Sequence, residues 1–194
     1  EVVLVRDLDM GSHNITLSTS FESISNCTFN GNNHTIANYT LSNKQYAGLL
    51  PNAIRVTVKN LTLKNANITA VNDGSNNAYA GGFIGRAYGT NVVENCTLEN
   101  SIVQGINKVG GIAGFQAENG ISIRKCTVKG STIKVDTENQ EYGQCGGILG
   151  YIGSVAAANE VSGNFIINTK VEAPANTNIG EEHRKSSICV GTLQ

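Results

Sequence analysis

The stretch GGFIGRAYGTNVVENCTLEN, residues 81–100, decides how this chain is read. It opens on a glycine-rich apolar motif, Gly81-Gly-Phe-Ile-Gly85. It closes on a short alternating motif, Asn95-Cys-Thr-Leu-Glu-Asn100. Both recur along the chain. The glycine motif returns as Gly110-Gly-Ile-Ala-Gly114 and Gly146-Gly-Ile-Leu-Gly150, with Ala47-Gly-Leu-Leu-Pro51 as a first copy and Ser187-Ile-Cys-Val-Gly191 as an eroded last one. The alternating motif returns as Asn60-Leu-Thr-Leu-Lys-Asn65 and Lys125-Cys-Thr-Val-Lys-Gly130. Asn26-Cys-Thr-Phe-Asn-Gly31 precedes these copies and Asn164-Phe-Ile-Ile-Asn168 follows them. A third apolar patch lies between the two motifs: Ala66-Asn-Ile-Thr69, Ser101-Ile-Val103 and Ser131-Thr-Ile-Lys-Val135.

A repeat of roughly 30–40 residues with three short strand candidates cannot bury its apolar side alone, whereas stacked copies cover one another. No segment shows the sustained 3.6-residue apolar period of a helix. The expected fold is therefore all-β: a single-domain right-handed parallel β-helix of about five coils, three short strands per coil, with coils about 4.8 Å apart. Residues 1–20 are expected to cap or start the helix, 21–153 to hold the clear repeats, and 154–194 to form a degenerate last coil. The insertions at 71–77 and 136–141 fall between the second and third strands of their coils, on an edge that solenoids often use for binding.

Composition agrees with this reading and excludes some functions. The 194 residues include 22 Gly but only 2 Pro and no Trp. Gly and Asn suit turns with positive φ, and Thr, Ile and Val suit strands. Only 15% of residues are charged and the net charge is -1, so no basic face is expected for nucleic acid. No apolar run reaches the roughly 20 residues of a membrane-spanning helix, so no membrane insertion of this fragment is expected. The chain opens on Glu1-Val-Val-Leu-Val with no Met and no charged leader, as expected of a mature piece of a longer protein.

The alternation of Asn-Cys-Thr-Leu and Gly-Gly-Phe-Ile-Gly strands resembles the GLUG-motif proteins. So does Phe29-Asn-Gly-Asn-Asn-His-Thr-Ile36, which is similar to that family's opening motif. The resemblance runs from Phe21 to Gly153, with traces to Gly191. It implies a secreted or surface-attached bacterial repeat protein, common among gut Bacteroidetes and described as adhesin-like. By that likeness the chain is extracellular or at the cell surface, attached to a bacterial outer membrane as part of a longer surface-anchored protein. The function implied is a non-catalytic module that binds a host or dietary glycan or a surface protein.

The chemical signals are weighed against that background. Cys27, Leu61, Cys96, Cys126 and Phe165 share one repeat position, which reads as an inward-facing apolar ladder in which free Cys acts as a small hydrophobe. Cys145 aligns with Ala80 and Val109 and reads as buried. Without a Cys-x-x-Cys motif no metal site is expected, and no cofactor is implied. Seven Asn-x-Thr triplets, at Asn14, Asn26, Asn33, Asn38, Asn60, Asn67 and Asn95, follow from turn asparagines beside strand threonines rather than from glycosylation.

His13, His34 and His183 have no nucleophile at a catalytic spacing. Polysaccharide lyases and hydrolases use the same scaffold, so a carbohydrate-active enzyme is the alternative. Yet Asp7, Asp9, Asp73 and Asp136 suggest no catalytic pair. A passive spacer is a third reading. The candidate binding site is the position after the glycine motif, Arg86, Phe115 and Tyr151 in successive coils, with Tyr88 and Tyr142 nearby. Such a row can hold sugar rings or a partner's apolar side chains, or it can simply close a corner by packing.

Overall fold

The computed structural model describes residues 1–11, 14–17, 23–72, 74, 77–136, 143–153, 158–173, 185–187 and 190–193. Among them every strand pairing is parallel and no helix occurs. Each strand pairs with its own copy one repeat away. Thr57–Lys64 lies beside Asn91–Glu99, and Asn67–Val71 lies between Thr40–Lys44 and Ile102–Gly105. The chain is thus a parallel β-solenoid.

Four sheets form its walls. Face 1 contains Thr57–Lys64 and face 2 contains Asn67–Val71. Face 3 contains Tyr79–Gly81 and face 4 contains Ile84–Tyr88. Faces 2 and 4 each have six strands, so the described residues trace six turns rather than about five. Each complete turn has four strand segments rather than three. The reason lies in the glycine motif, which is a corner and not the middle of one strand. A Cβ on Gly82 would collide with the Gly111 carbonyl oxygen, and one on Gly111 with that of Gly147. Glycine at 82 and 111 lets these turns stack, and the chain bends between Tyr79–Gly81 and Ile84–Tyr88.

Asparagine makes the other corners. Asn38, Asn65, Asn100 and Asn168 turn the chain from face 1 to face 2 with φ of 58°, 54°, 49° and 48°. Asn tolerates this left-handed region better than most residues. Asn60 and Asn95 kink face 1 in the same way. The Asn95 side-chain amide donates to Asn60 Oδ1 at 2.8 Å, so the asparagine of the 95–97 triplet belongs to a ladder between turns.

The interior is filled by alternate residues of each strand. Leu61, Leu63, Cys96, Leu98, Cys126 and Val128 are buried on face 1, while Thr62, Thr97 and Thr127 between them face outward. Cys145 stacks on Val109, which stacks on Ala80. Burial pushes the Cys96 thiol up, and the Cys145 thiol to about 12, so both are inert as nucleophiles.

The expected ladder keeps Leu61, Cys96 and Cys126 but loses both ends. Cys27 does not align with Leu61, because Thr28 pairs with Thr57; His34 is the residue opposite Leu61. Residues 31–33 stand opposite the single Asn60, a bulge that shifts the motif by half a strand. Phe165 pairs with Thr127 and is 62% exposed, one position out of the ladder. Asn164 takes the inward position instead. Its Oδ1 accepts the Cys126 N–H at 2.8 Å and its Nδ2 donates to the Ile123 carbonyl at 2.8 Å.

Candidate functional site

The glycine corner brings two columns of side chains together. On face 3, Tyr46, Tyr79, Lys108 and Gln144 are in register. On face 4, the column reads Asn52, Arg86, Phe115 and Tyr151. The two backbones approach closely at the glycines between them: a Cβ on Gly48 would lie 2.8 Å from both Gly81 O and Gly85 N. The large side chains of the columns therefore meet over a glycine-lined notch.

They meet as a continuous row. Tyr46 stacks on Tyr79 with centroids 5.3 Å apart, and Tyr79 meets Phe115 edge-on at 4.8 Å. Phe115 meets Tyr151 at 5.5 Å. Lys108 Nζ lies over three rings: Tyr79 at 5.0 Å, Phe115 at 5.4 Å and Tyr151 at 4.9 Å. Arg86 lies over Tyr46 at 5.5 Å and Tyr88 at 5.6 Å. Tyr46, Tyr79 and Tyr151 are buried, yet they stand outside the interior apolar cluster, covered by one another and by the two cations. Arg86, Tyr88, Lys108 and Phe115 are half-buried and form the accessible rim.

The electrostatics of this edge are unbalanced. Neither Arg86 nor Lys108 has a carboxylate partner among the described residues. Among the described residues the Lys108 ammonium donates one hydrogen bond, to Asn107 Oδ1 at 3.1 Å. Desolvation holds Lys108 down to about 8, and it pushes the Tyr79 hydroxyl up to about 12. Glu118, paired in register with Tyr88, interacts with the Tyr88 hydroxyl and raises the tyrosine's pKa.

Of the expected site residues, the structure stacks Arg86, Phe115 and Tyr151 in register and sets Tyr88 beside Arg86. Tyr142 lies outside the described residues. Tyr151 is only 8% exposed, so it supports the row instead of offering a free ring. Tyr46, Tyr79 and Lys108 are additions. Their signal was present in the repeat, because each stands two positions before the first glycine of its motif. The insertions expected at 71–77 and 136–141 fall in the chain between a face 2 strand and a face 3 strand, and residues 73, 75, 76 and 137–141 lie outside the described residues.

Other chemically suggestive groups are dispersed. His34 Nδ1 lies 3.1 Å from Asp7 Oδ1, which also accepts the Thr35 N–H at 2.8 Å. That N–H and His34 hold the Asp7 carboxyl below its ordinary range and tie the first turn to the second. His13, His183, Asp73 and Cys189 lie outside the described residues. Among the described residues no group of three or more His, Cys, Asp or Glu side chains is placed to hold a metal ion.

Fold and edge together define a repeat-built β-helix module with an aromatic and cationic rim. The chain carries the GLUG motif, whose family model matches residues 76–103. That span is one full turn, from the glycine corner through Asn95–Asn100. Over 111 residues the chain is 34% identical to halomucin of Haloquadratum walsbyi, covering 52% of this chain and 1% of halomucin. The chain thus spans about 1% of the length of that curated relative. In structure it resembles a candidate immunoglobulin A1 protease from Bacteroides ovatus, with a TM-score of 0.53 at 18% identity over 99% of this chain and 76% of that one. At that identity the likeness concerns the fold alone.

Proposed function

We propose that this chain is a surface-associated, right-handed β-helix module without catalytic activity of its own, part of a longer envelope-attached protein. It presents the edge between faces 3 and 4 to a glycan or protein partner. The observation that carries this reading is the rim itself: half-buried Arg86, Tyr88, Lys108 and Phe115, continuous over two successive turns. The GLUG motif and the similarity to halomucin, a surface protein, support the location. The adhesin-like role rests on the rim, because aromatic faces and guanidinium groups stack on sugar rings and on apolar side chains.

A passive spacer is the second reading, favoured by the burial of Tyr46, Tyr79 and Tyr151 against each other. A glycan array separates the two. The binding module predicts signal for at least one glycan class, lost in Tyr88→Ala and Phe115→Ala variants that fold normally. Absence of signal from every glycan, together with no protein captured from an envelope extract, would leave the spacer.

A further inference from the structure

We infer that the ligand of this edge is an acidic polysaccharide, one whose sugar units carry carboxylate or sulfate groups. This deepens the binding reading above and rests on it. Arg86 and Lys108 project from adjacent turns, in neighbouring columns, on the same edge. Each lies on aromatic faces, and neither has a carboxylate beside it among the described residues. On face 1 the part-buried cations are paired instead. Arg124 has Glu94 at 2.9 Å and Glu160 at 3.6 Å, and Lys129 has Glu99 at 3.2 Å.

A half-buried ammonium with one hydrogen bond is incompletely solvated, and an anion supplied by a ligand satisfies it better than water does. Charge complementarity therefore selects an acidic partner. The accessible rings of Tyr88 and Phe115 stand beside the two cations, and a pyranose presents an apolar C–H face to such a ring while its carboxylate reaches the adjacent cation. A polymer with a charge on each repeating unit also matches a scaffold that repeats its side-chain positions once per turn.

The test uses the 194-residue chain in affinity electrophoresis, with polygalacturonate as the acidic probe and dextran as the neutral one. Polygalacturonate retards the chain and dextran does not. Raising NaCl from 0.1 M to 1 M removes the retardation, because the screening length falls from about 10 Å to about 3 Å. Arg86→Gln with Lys108→Gln weakens binding by about tenfold or more, equivalent to about 1.4 kcal/mol. Lys64→Gln with Lys129→Gln on face 1 leaves it unchanged. Lys108→Arg, which keeps the charge, retains binding, and Arg86→Gln alone serves if the double variant unfolds early in a melt.

Equal retardation by dextran overturns the acidic assignment but keeps the binding reading. So does undiminished polygalacturonate binding in the double variant. Binding of poly-glutamate without polygalacturonate replaces the polysaccharide with an acidic protein. Retardation by no polymer, together with a blank glycan array, removes both the acidic assignment and the glycan-binding reading.

Discussion

Two surfaces of this solenoid use charge in opposite ways. On face 1 the outward column Lys64, Glu99, Lys129 alternates in sign, with Glu99 lying 3.6 Å and 3.2 Å from the two ammonium groups. The parallel column Glu94, Arg124 and Lys59, paired to Glu1, does the same. Parallel stacking places copies of one position directly above each other, so identical charges would repel and alternation removes the penalty. Such a face is electrostatically complete and offers a partner little. At the edge between faces 3 and 4 the same stacking produces rings and two cations, Arg86 and Lys108, that have no carboxylate partner among the described residues. One scaffold thus yields a self-satisfied wall and an unsatisfied rim. The difference lies in which residue types occupy the columns.

The sharpest way to break this contrast is to remove the corner that makes the rim. Gly111→Val puts a branched side chain where even a Cβ meets the Gly147 carbonyl, and is expected to cost about 4 kcal/mol or more. Urea denaturation checks it. A change below about 1 kcal/mol would mean that the turns do not stack as described. Next is Tyr79→Ala, which deletes the ring between Tyr46 and Phe115 and frees Lys108. A loss of about 3 kcal/mol is expected, with exposure of Tyr46 visible in near-UV circular dichroism.

A smaller effect is expected in pH. Because burial lowers the folded pKa of Lys108 to about 8, the unfolded chain holds the proton more strongly between about 8 and 10.5. This group's contribution to stability therefore rises with pH across that window. The rise should be absent in Lys108→Met, as urea titrations at pH 7.5 and pH 9.5 (stepping across the value of about 8) would reveal. Tyr79 acts oppositely: its folded pKa of about 12 exceeds the unfolded value, so its contribution falls above pH 10.

The smallest effect belongs to face 1. Lys64→Gln or Lys129→Gln should change stability by less than about 1 kcal/mol, since both pairs are partly exposed. A larger loss would mean that the wall depends on its charges after all.

Much of the architecture was legible because a solenoid writes its periodicity into the chain. The inward column Leu61, Cys96, Cys126 and the burial of Cys145 follow from alignment of copies alone, as does the row Arg86, Phe115, Tyr151. The reading slipped where a local irregularity broke the count. The bulge at 31–33 displaced Cys27, and a one-residue offset displaced Phe165. Counting three strands per coil failed because the glycine motif reads as a continuous apolar strand, although its lack of Cβ atoms serves a bend. Tyr46, Tyr79 and Lys108 were missed although they occupy a repeat position, since Tyr and Lys at one position show no shared chemistry until the neighbouring column is placed beside them.

The sequence by itself determined the repeat, the parallel stack, the alternation of inward and outward residues, and the turn positions where asparagine or glycine accepts positive φ. These are local or nearest-copy properties, and adjacent copies of one motif report on each other directly. Tertiary structure alone decided which columns meet across a corner. That depends on the angle at which two strands of one turn close over Gly48, Gly81 and Gly85, a quantity no spacing records. The same closure buried Tyr151, left Phe115 and Tyr88 at the rim, and set Lys108 over three rings.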